Sequence, residues 1–285
     1  MNNRKIQFCL VLFLVVSFSS FSQDLCDRIG VCTSVRNAPL LKQAGYSYVE
    51  IGINGFLVPD KDDATFAENL KSAAESMLPA LAGNSFFPGD IKLVGPDANL
   101  ELAVRYTEIA MQRAKLIGTK IFVLGSGRSR AIPDDFEREK ATAQFVELCK
   151  HIAVLGEKYD VVVVLEPLRK QETNFINTVR QGTEIARAVN HPNLRVLADL
   201  FHMASEDEDT QAIVEAGDLL YHCHIAGKAE RTAPGVKGDD FTSYFKALKE
   251  INYKGMISIE CSWKNFEEEI APAIAEIRRQ IHRVY

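Results

Sequence analysis

From residue 29 onward, short apolar runs alternate with longer stretches whose apolar positions recur at helical spacing. The runs Ile29–Cys32, Tyr48–Ile53, Leu78–Ala82, Ile121–Leu124, Val161–Leu165, Leu194–Ala198, Leu220–His224 and Met256–Ile259 predict strands. Several are β-branched and apolar throughout, as in parallel strands covered by helices on both faces. Between them, Leu40–Ala44, Thr65–Ser76, Leu100–Leu116, Phe136–Tyr159, Val179–Val189, Thr210–Ala216, Phe241–Ile251 and Phe266–Ile281 predict helices, three of them capped by Asp135, Asn177 and Asp209. Each strand–helix unit averages about 32 residues, the size of a βαβ repeat. Right-handed crossovers close such a series into an α/β (β/α)8 TIM barrel, here a single domain over residues 23–285. A doubly wound sheet is the rival, but no G-x-G-x-x-G follows the first strand. Gly30 stands alone, and Gly125-Ser126-Gly127 lacks the third glycine.

Residues 1–22 do not fit this pattern. Arg4 and Lys5 precede an apolar run from Phe8 to Phe18, and the small residues Ser20 and Ser22 follow. This is the layout of a cleaved signal peptide, and the run is shorter than the ~20 residues that span a bilayer. It predicts a periplasmic or secreted protein with no membrane anchor. Removing the segment leaves 31 cations against 38 acids, a net charge of −7, which disfavours nucleic acid as a partner. Five cysteines then remain, scattered and without a C-x-x-C pair, so the expectation is small buried hydrophobes, with Cys26–Cys32 as the one conceivable bridge.

Candidate chemistry concentrates in the second half. The fifth strand stops at Glu166, the sixth at Asp199, the seventh ends in His222-Cys223-His224, and the eighth stops at Glu260. In a parallel barrel the carboxyl ends of all strands open on one face, so these groups converge. Three carboxylates at an apolar rim are costly unless a cation compensates them. An oxygen-rich set with one imidazole suits a single Mn²⁺, Mg²⁺ or Co²⁺ better than a closed cysteine-rich zinc site, although Zn²⁺ is also possible at such a centre.

These segments resemble the sugar isomerase/epimerase superfamily with a xylose-isomerase-like barrel, including the ketose 3-epimerases. The resemblance rests on Leu165-Glu166-Pro167-Leu168, Ala198-Asp199-Leu200-Phe201-His202-Met203, His222-Cys223-His224, Pro234-Gly235 and Tyr253-Lys254-Gly255-Met256-Ile257-Ser258-Ile259-Glu260. It implies a Mn²⁺-type site made by Glu166, Asp199, His224 and Glu260, with substrate contacts from Glu172, His202 and Arg231. Arg169-Lys170-Gln171 departs from the Asn-Arg-aromatic stretch usual in ketose 3-epimerases, so the substrate stays open. The chemistry such groups support is proton removal next to a sugar carbonyl, with Glu166 and Glu260 as the acid–base pair. That predicts a sugar isomerase or epimerase; the alternative is a 3-keto-glycoside lyase or hydratase, in which the same enediolate expels a leaving group. A small-molecule sugar or keto-glycoside is the expected partner, and a homo-oligomer is compatible with the chain. A histidine-rich nuclease site disagrees with six histidines and the acidic charge. A non-catalytic sugar-binding module is the remaining alternative.

Further residues have two readings each. His222, two residues before His224, is either a packed or supporting group or a direct contact to metal or substrate. Glu50 is either structural or a substrate-side or supporting carboxylate. Arg128 and Arg130 are either solvated or an anion holder above the fourth strand, and Phe56, Phe201 and Trp263 are either core or an apolar wall for a sugar.

Overall fold

Alternate residues of a barrel strand face the axis and the surrounding helices, so eight short apolar strands build two layers at once. A computed structural model describes residues 25–285 of the chain. The expected signal segment, residues 1–22, lies outside the described residues. Strands β1 (Ile29–Cys32), β2 (Tyr48–Gly52), β3 (Ala80–Asn84), β4 (Ile121–Leu124), β5 (Val162–Leu165), β6 (Leu194–Asp199), β7 (Leu220–Ile225) and β8 (Met256–Ile259) form a closed parallel barrel in chain order. The β1–β8 seam pairs Gly30 with Ser258 and Val31 with Ile259.

Helices α1 (Ala38–Ala44), α2 (Ile53–Phe56), α3 (Asp63–Ala74), α4 (Leu100–Ile117), α5 (Gly127–Arg130), α6 (Arg138–Tyr159), α7 (Val179–Val189), α8 (Leu200–Ser205), α9 (Gln211–Ala216), α10 (Thr242–Glu250) and α11 (Phe266–Val284) fill the connections. Outward strand residues such as Val31, Val49, Cys223 and Ile257 join the helices in the large core. A second, inner cluster of Tyr48, Ala82, Ile121, Val123, Val164 and Leu197 plugs the barrel. Burying each larger side chain there contributes about 1.5–3 kcal/mol, so the barrel is solid below its mouth.

Three details differ from the sequence expectation. Strand β3 starts two residues later than the apolar run, because Pro79 has no N–H for the ladder; its carbonyl only accepts from Val49 N at 2.9 Å. Helix α7 is capped by Thr178, whose side chain accepts from Gln181 N, while Asn177 Nδ2 instead donates to the Leu168 and Thr173 carbonyls. Helices α6 and α9 start after Glu137 and Thr210 without a side-chain cap, and Asp209 instead accepts from Arg180. The cysteines among the described residues are free, so Cys26 and Cys32 do not bridge. No helix among the described residues is long and apolar enough to cross a membrane.

Candidate metal centre

Each of the four expected ligands sits where its strand ends. Glu166 follows β5, Asp199 closes β6, His224 is the penultimate residue of β7 and Glu260 follows β8. One donor atom from each lies within 4.8 Å of all the others. His224 Nδ1 is 3.0 Å from Glu166 Oε1 and 3.1 Å from Glu260 Oε2. Asp199 caps α8, its Oδ1 accepting from Phe201 N and His202 N, and this leaves Oδ2 facing the cluster. That cap explains a helix the apolar pattern did not show: a strand-end aspartate both terminates β6 and nucleates the turn after it.

Local backbone makes room for these groups. A Cβ on Gly125, at the end of β4, would lie 2.2 Å from Glu166 Oε2, so only glycine lets that carboxylate turn inward. Arg231 projects from a loop in which Glu230 and Arg231 both have positive φ, 59° and 53°. Its Nε donates to the Glu260 carbonyl at 3.0 Å, and its guanidinium also reaches Glu260 Oε2 and Asp199 Oδ2. Two consecutive left-handed residues without glycine store strain, which the three polar contacts offset.

The donor set fits a divalent cation on charge. Glu50, Glu166, Asp199 and Glu260 bring four carboxylates into a water-poor mouth. The guanidiniums beside them are Arg231 and the buried Arg130, which donates to the Glu166 carbonyl. With His224 neutral, as a metal ligand must be, two negative charges remain, the amount one divalent ion offsets, while isolated buried carboxylates would be strongly disfavoured. Without an ion the same carboxylates favour a proton on His224: burial alone would lower its pKa, but Glu50 and Glu260 raise it well above the ordinary imidazole value, and an ion bound at the ring takes that proton's place. Burial raises the Glu166 carboxyl, with Glu260 adding to it. Burial also pushes Glu260 up, but His224 and Arg231 outweigh it and hold that carboxyl below its usual range.

The three expected substrate contacts line one cavity of about 540 Å³ with Glu166 and Glu260. His202 Nδ1 accepts from Arg169 N at 3.4 Å, and its buried Nε2 makes no hydrogen bond but lies 3.5 Å from Asp199 Oδ2. Glu172 accepts from Arg169 Nε at 2.8 Å.

Residues 38–281 match the family described as xylose isomerase-like TIM barrel. The chain belongs to that family. It is 34% identical over 133 residues to a probable ketose 3-epimerase of Synechocystis sp., covering 46% of this chain and 45% of the relative. It is 29% identical over 233 residues to L-ribulose 3-epimerase of Methylomonas sp., covering 80% and 77%. The first alignment thus spans less than half of that relative's length. A solved D-allulose 3-epimerase from Methylomonas sp. has a TM-score of 0.75 at 22% identity, covering 89% of this chain and 97% of that one, a likeness of fold.

Within this family barrel, several residues have other roles than expected. Arg130 holds no anion: it is fully buried and donates to the carbonyls of Leu124, Glu166, Phe175 and Ile176, tying β4 and β5 to the loop that carries Glu172. Arg128 is exposed at the cavity edge. The apolar lining comes from Phe87, Pro88 and Leu168, not from Phe56 or Trp263. Phe201 is buried under the guanidiniums of Arg169 and Arg231, each 4.9 Å from its ring centre. Asn84, unmarked in the sequence, donates from Nδ2 to Glu260 Oε1 at 3.1 Å. The late start of β3 puts it at the strand end, and only the β3 register revealed it.

Proposed function

We propose that the chain is a divalent-metal-dependent sugar isomerase or epimerase that exchanges a proton at the carbon next to a sugar carbonyl. One arrangement carries the reading: glutamates from β5 and β8 meet at one imidazole nitrogen, above a cavity lined by the further donors His202 and Arg231. Glu166, Asp199, His224 and Glu260 would hold the ion, for which we propose Mn²⁺ on the oxygen-rich donor set. Bound there, it polarises a carbonyl oxygen and offsets the charge that develops on it, worth several kcal/mol.

The chain's own groups do the rest. The carboxylates of Glu166 and Glu260 stand on different strands, so one removes the proton and the other returns it from the opposite side. His202, in the cavity wall, offers its ring to a sugar oxygen. Glu172 accepts from a hydroxyl and is itself steadied by Arg169. Arg231 keeps Glu260 in its ionised, proton-accepting form and fixes its direction. Phe87, Pro88 and Leu168 give the sugar ring an apolar wall and thin the water around the reacting carbon. Relatives named as a probable ketose 3-epimerase and an L-ribulose 3-epimerase make ketoses the first substrates to try. We further propose that residues 1–22 direct export, so that the working enzyme is periplasmic or secreted.

The test is incubation of Mn²⁺-loaded protein with ketoses and with 3-keto-glycosides in deuterated water, read by NMR. Deuterium at the carbon beside the carbonyl, without release of an aglycone, is the expected result. Aglycone release assigns the elimination alternative instead, and neither outcome with any sugar overturns the proposal. Export is checked separately by the N-terminal mass of protein recovered outside the inner membrane, which begins after Ser22 if the proposal holds.

A further inference from the structure

The mouth of the barrel has a floor the proposed chemistry does not use. Glu50 points inward from β2 and is 0% exposed. Its Oε1 lies 2.9 Å from His224 Nε2, and its Oε2 lies 2.9 Å from His222 Nε2. Ser258 Oγ donates to Oε2 at 2.6 Å and lies 2.8 Å from Tyr48 Oη. The barrel's register builds this row. Gly30 of β1 pairs with Tyr48 on one side and Ser258 on the other, and a Cβ at Gly30 would lie 2.4 Å from the Tyr48 ring. A glycine in β1 thus lets the tyrosine cross beneath it to reach β8.

We infer that Glu50 is a positioning residue that sets the centre's affinity for its ion by fixing the orientation and tautomer of the His224 ring. The inference rests on the assignment of Glu166, Asp199, His224 and Glu260 as ligands. An imidazole offers a metal the lone pair of one nitrogen only when the other carries the hydrogen. Glu50 Oε1 accepts from Nε2–H, so Nδ1, the nitrogen beside Glu166 and Glu260, is left to ligate. A ring free to turn or to carry its hydrogen on Nδ1 would aim a donor at the ion. Carboxylate acceptors behind ligating histidines typically change metal affinity by about 10–100-fold when removed. Ser258, Tyr48 and His222 in turn keep Glu50 from swinging, so the floor is one connected set of hydrogen bonds that joins β2, β7 and β8.

The test measures binding of Mn²⁺ and Co²⁺ alone, by competition with a coloured chelator, on wild-type full chain and on Glu50→Gln. Circular dichroism reports the fold, and the visible spectrum of bound Co²⁺ reports the ligand field. The expected result is ~10–100-fold weaker binding and a shifted Co²⁺ spectrum in a folded variant. Binding within twofold of wild type with an unchanged spectrum overturns the inference, even if the variant melts lower, because a purely structural glutamate would change only the melting. If Glu50→Gln does not fold, Ser258→Ala decides: binding at least threefold weaker supports the role, and unchanged binding overturns it. Failure of the wild type itself to bind either ion defeats the ligand assignment instead.

Discussion

The barrel has a cavity at each end, and the two are almost equal in size. The one at the carboxyl ends of the strands measures about 540 Å³, and the one at the amino ends, near Leu81, Ile121, Tyr221 and Met256, about 560 Å³. Volume therefore does not locate the chemistry. What separates them is charge: among the described residues, both groups of clustered metal-ligand side chains lie at the carboxyl end, and the amino end is lined mainly by apolar atoms. The cause lies in the connections. Segments leaving the strands at the top are long, such as residues 166–178 and 226–241, and carry Glu172, Arg231 and the α8 turn, while returns such as residues 190–193 only reverse the chain. Loop length gives one end side chains to spend on function, and the other a seal.

Replacing Glu260 by Gln tests the difference most severely. Exchange of the sugar proton should fall by about 10²–10⁴-fold, measured as deuterium uptake, and a loss under tenfold would mean that the charged mouth is not where protons move. Gly125→Ala comes next. The added methyl displaces the Glu166 carboxylate, and turnover should drop by about 10²-fold, as for a misplacement of about 1 Å, with the barrel's circular dichroism unchanged. Chelation is third: ion-stripped protein should be inactive, and re-adding Mn²⁺ at a hundred times its Kd should return activity and about 2.7 kcal/mol of stability, read from melting curves. The smallest effect belongs to the other cavity. Tyr221→Ser should leave turnover within twofold and stability within about 0.5 kcal/mol, and a large loss of activity there would erase the contrast between the ends.

Much of the upper rim was legible before any coordinates. Glu166, Asp199, His224 and Glu260 each interrupt or end an apolar strand, and parallel strands all open the same way, so their convergence follows from counting. His202, Glu172 and Arg231 came from resemblance and do reach the cavity. Asn84 was missed because the apolar run misplaced β3 by two residues, a shift set by a proline in the ladder. Arg130 was misread because an arginine after a glycine-rich turn looks solvated, yet four carbonyls from three separate segments make a buried cage for it. The wall of Phe87, Pro88 and Leu168 lies in irregular loops, which have no period to read.

The amino-acid sequence by itself determined the barrel, the direction of its strands and the four groups at their ends, because hydrophobic periodicity and chain direction are local properties that repeat. Only the tertiary structure decided that Glu50 stands between two histidines, that Gly30 admits Tyr48, and that Asn84 meets Glu260. Those contacts join residues 18 to 176 positions apart through strand register, and a hydrogen bond's reach of about 3 Å has no signature along the chain.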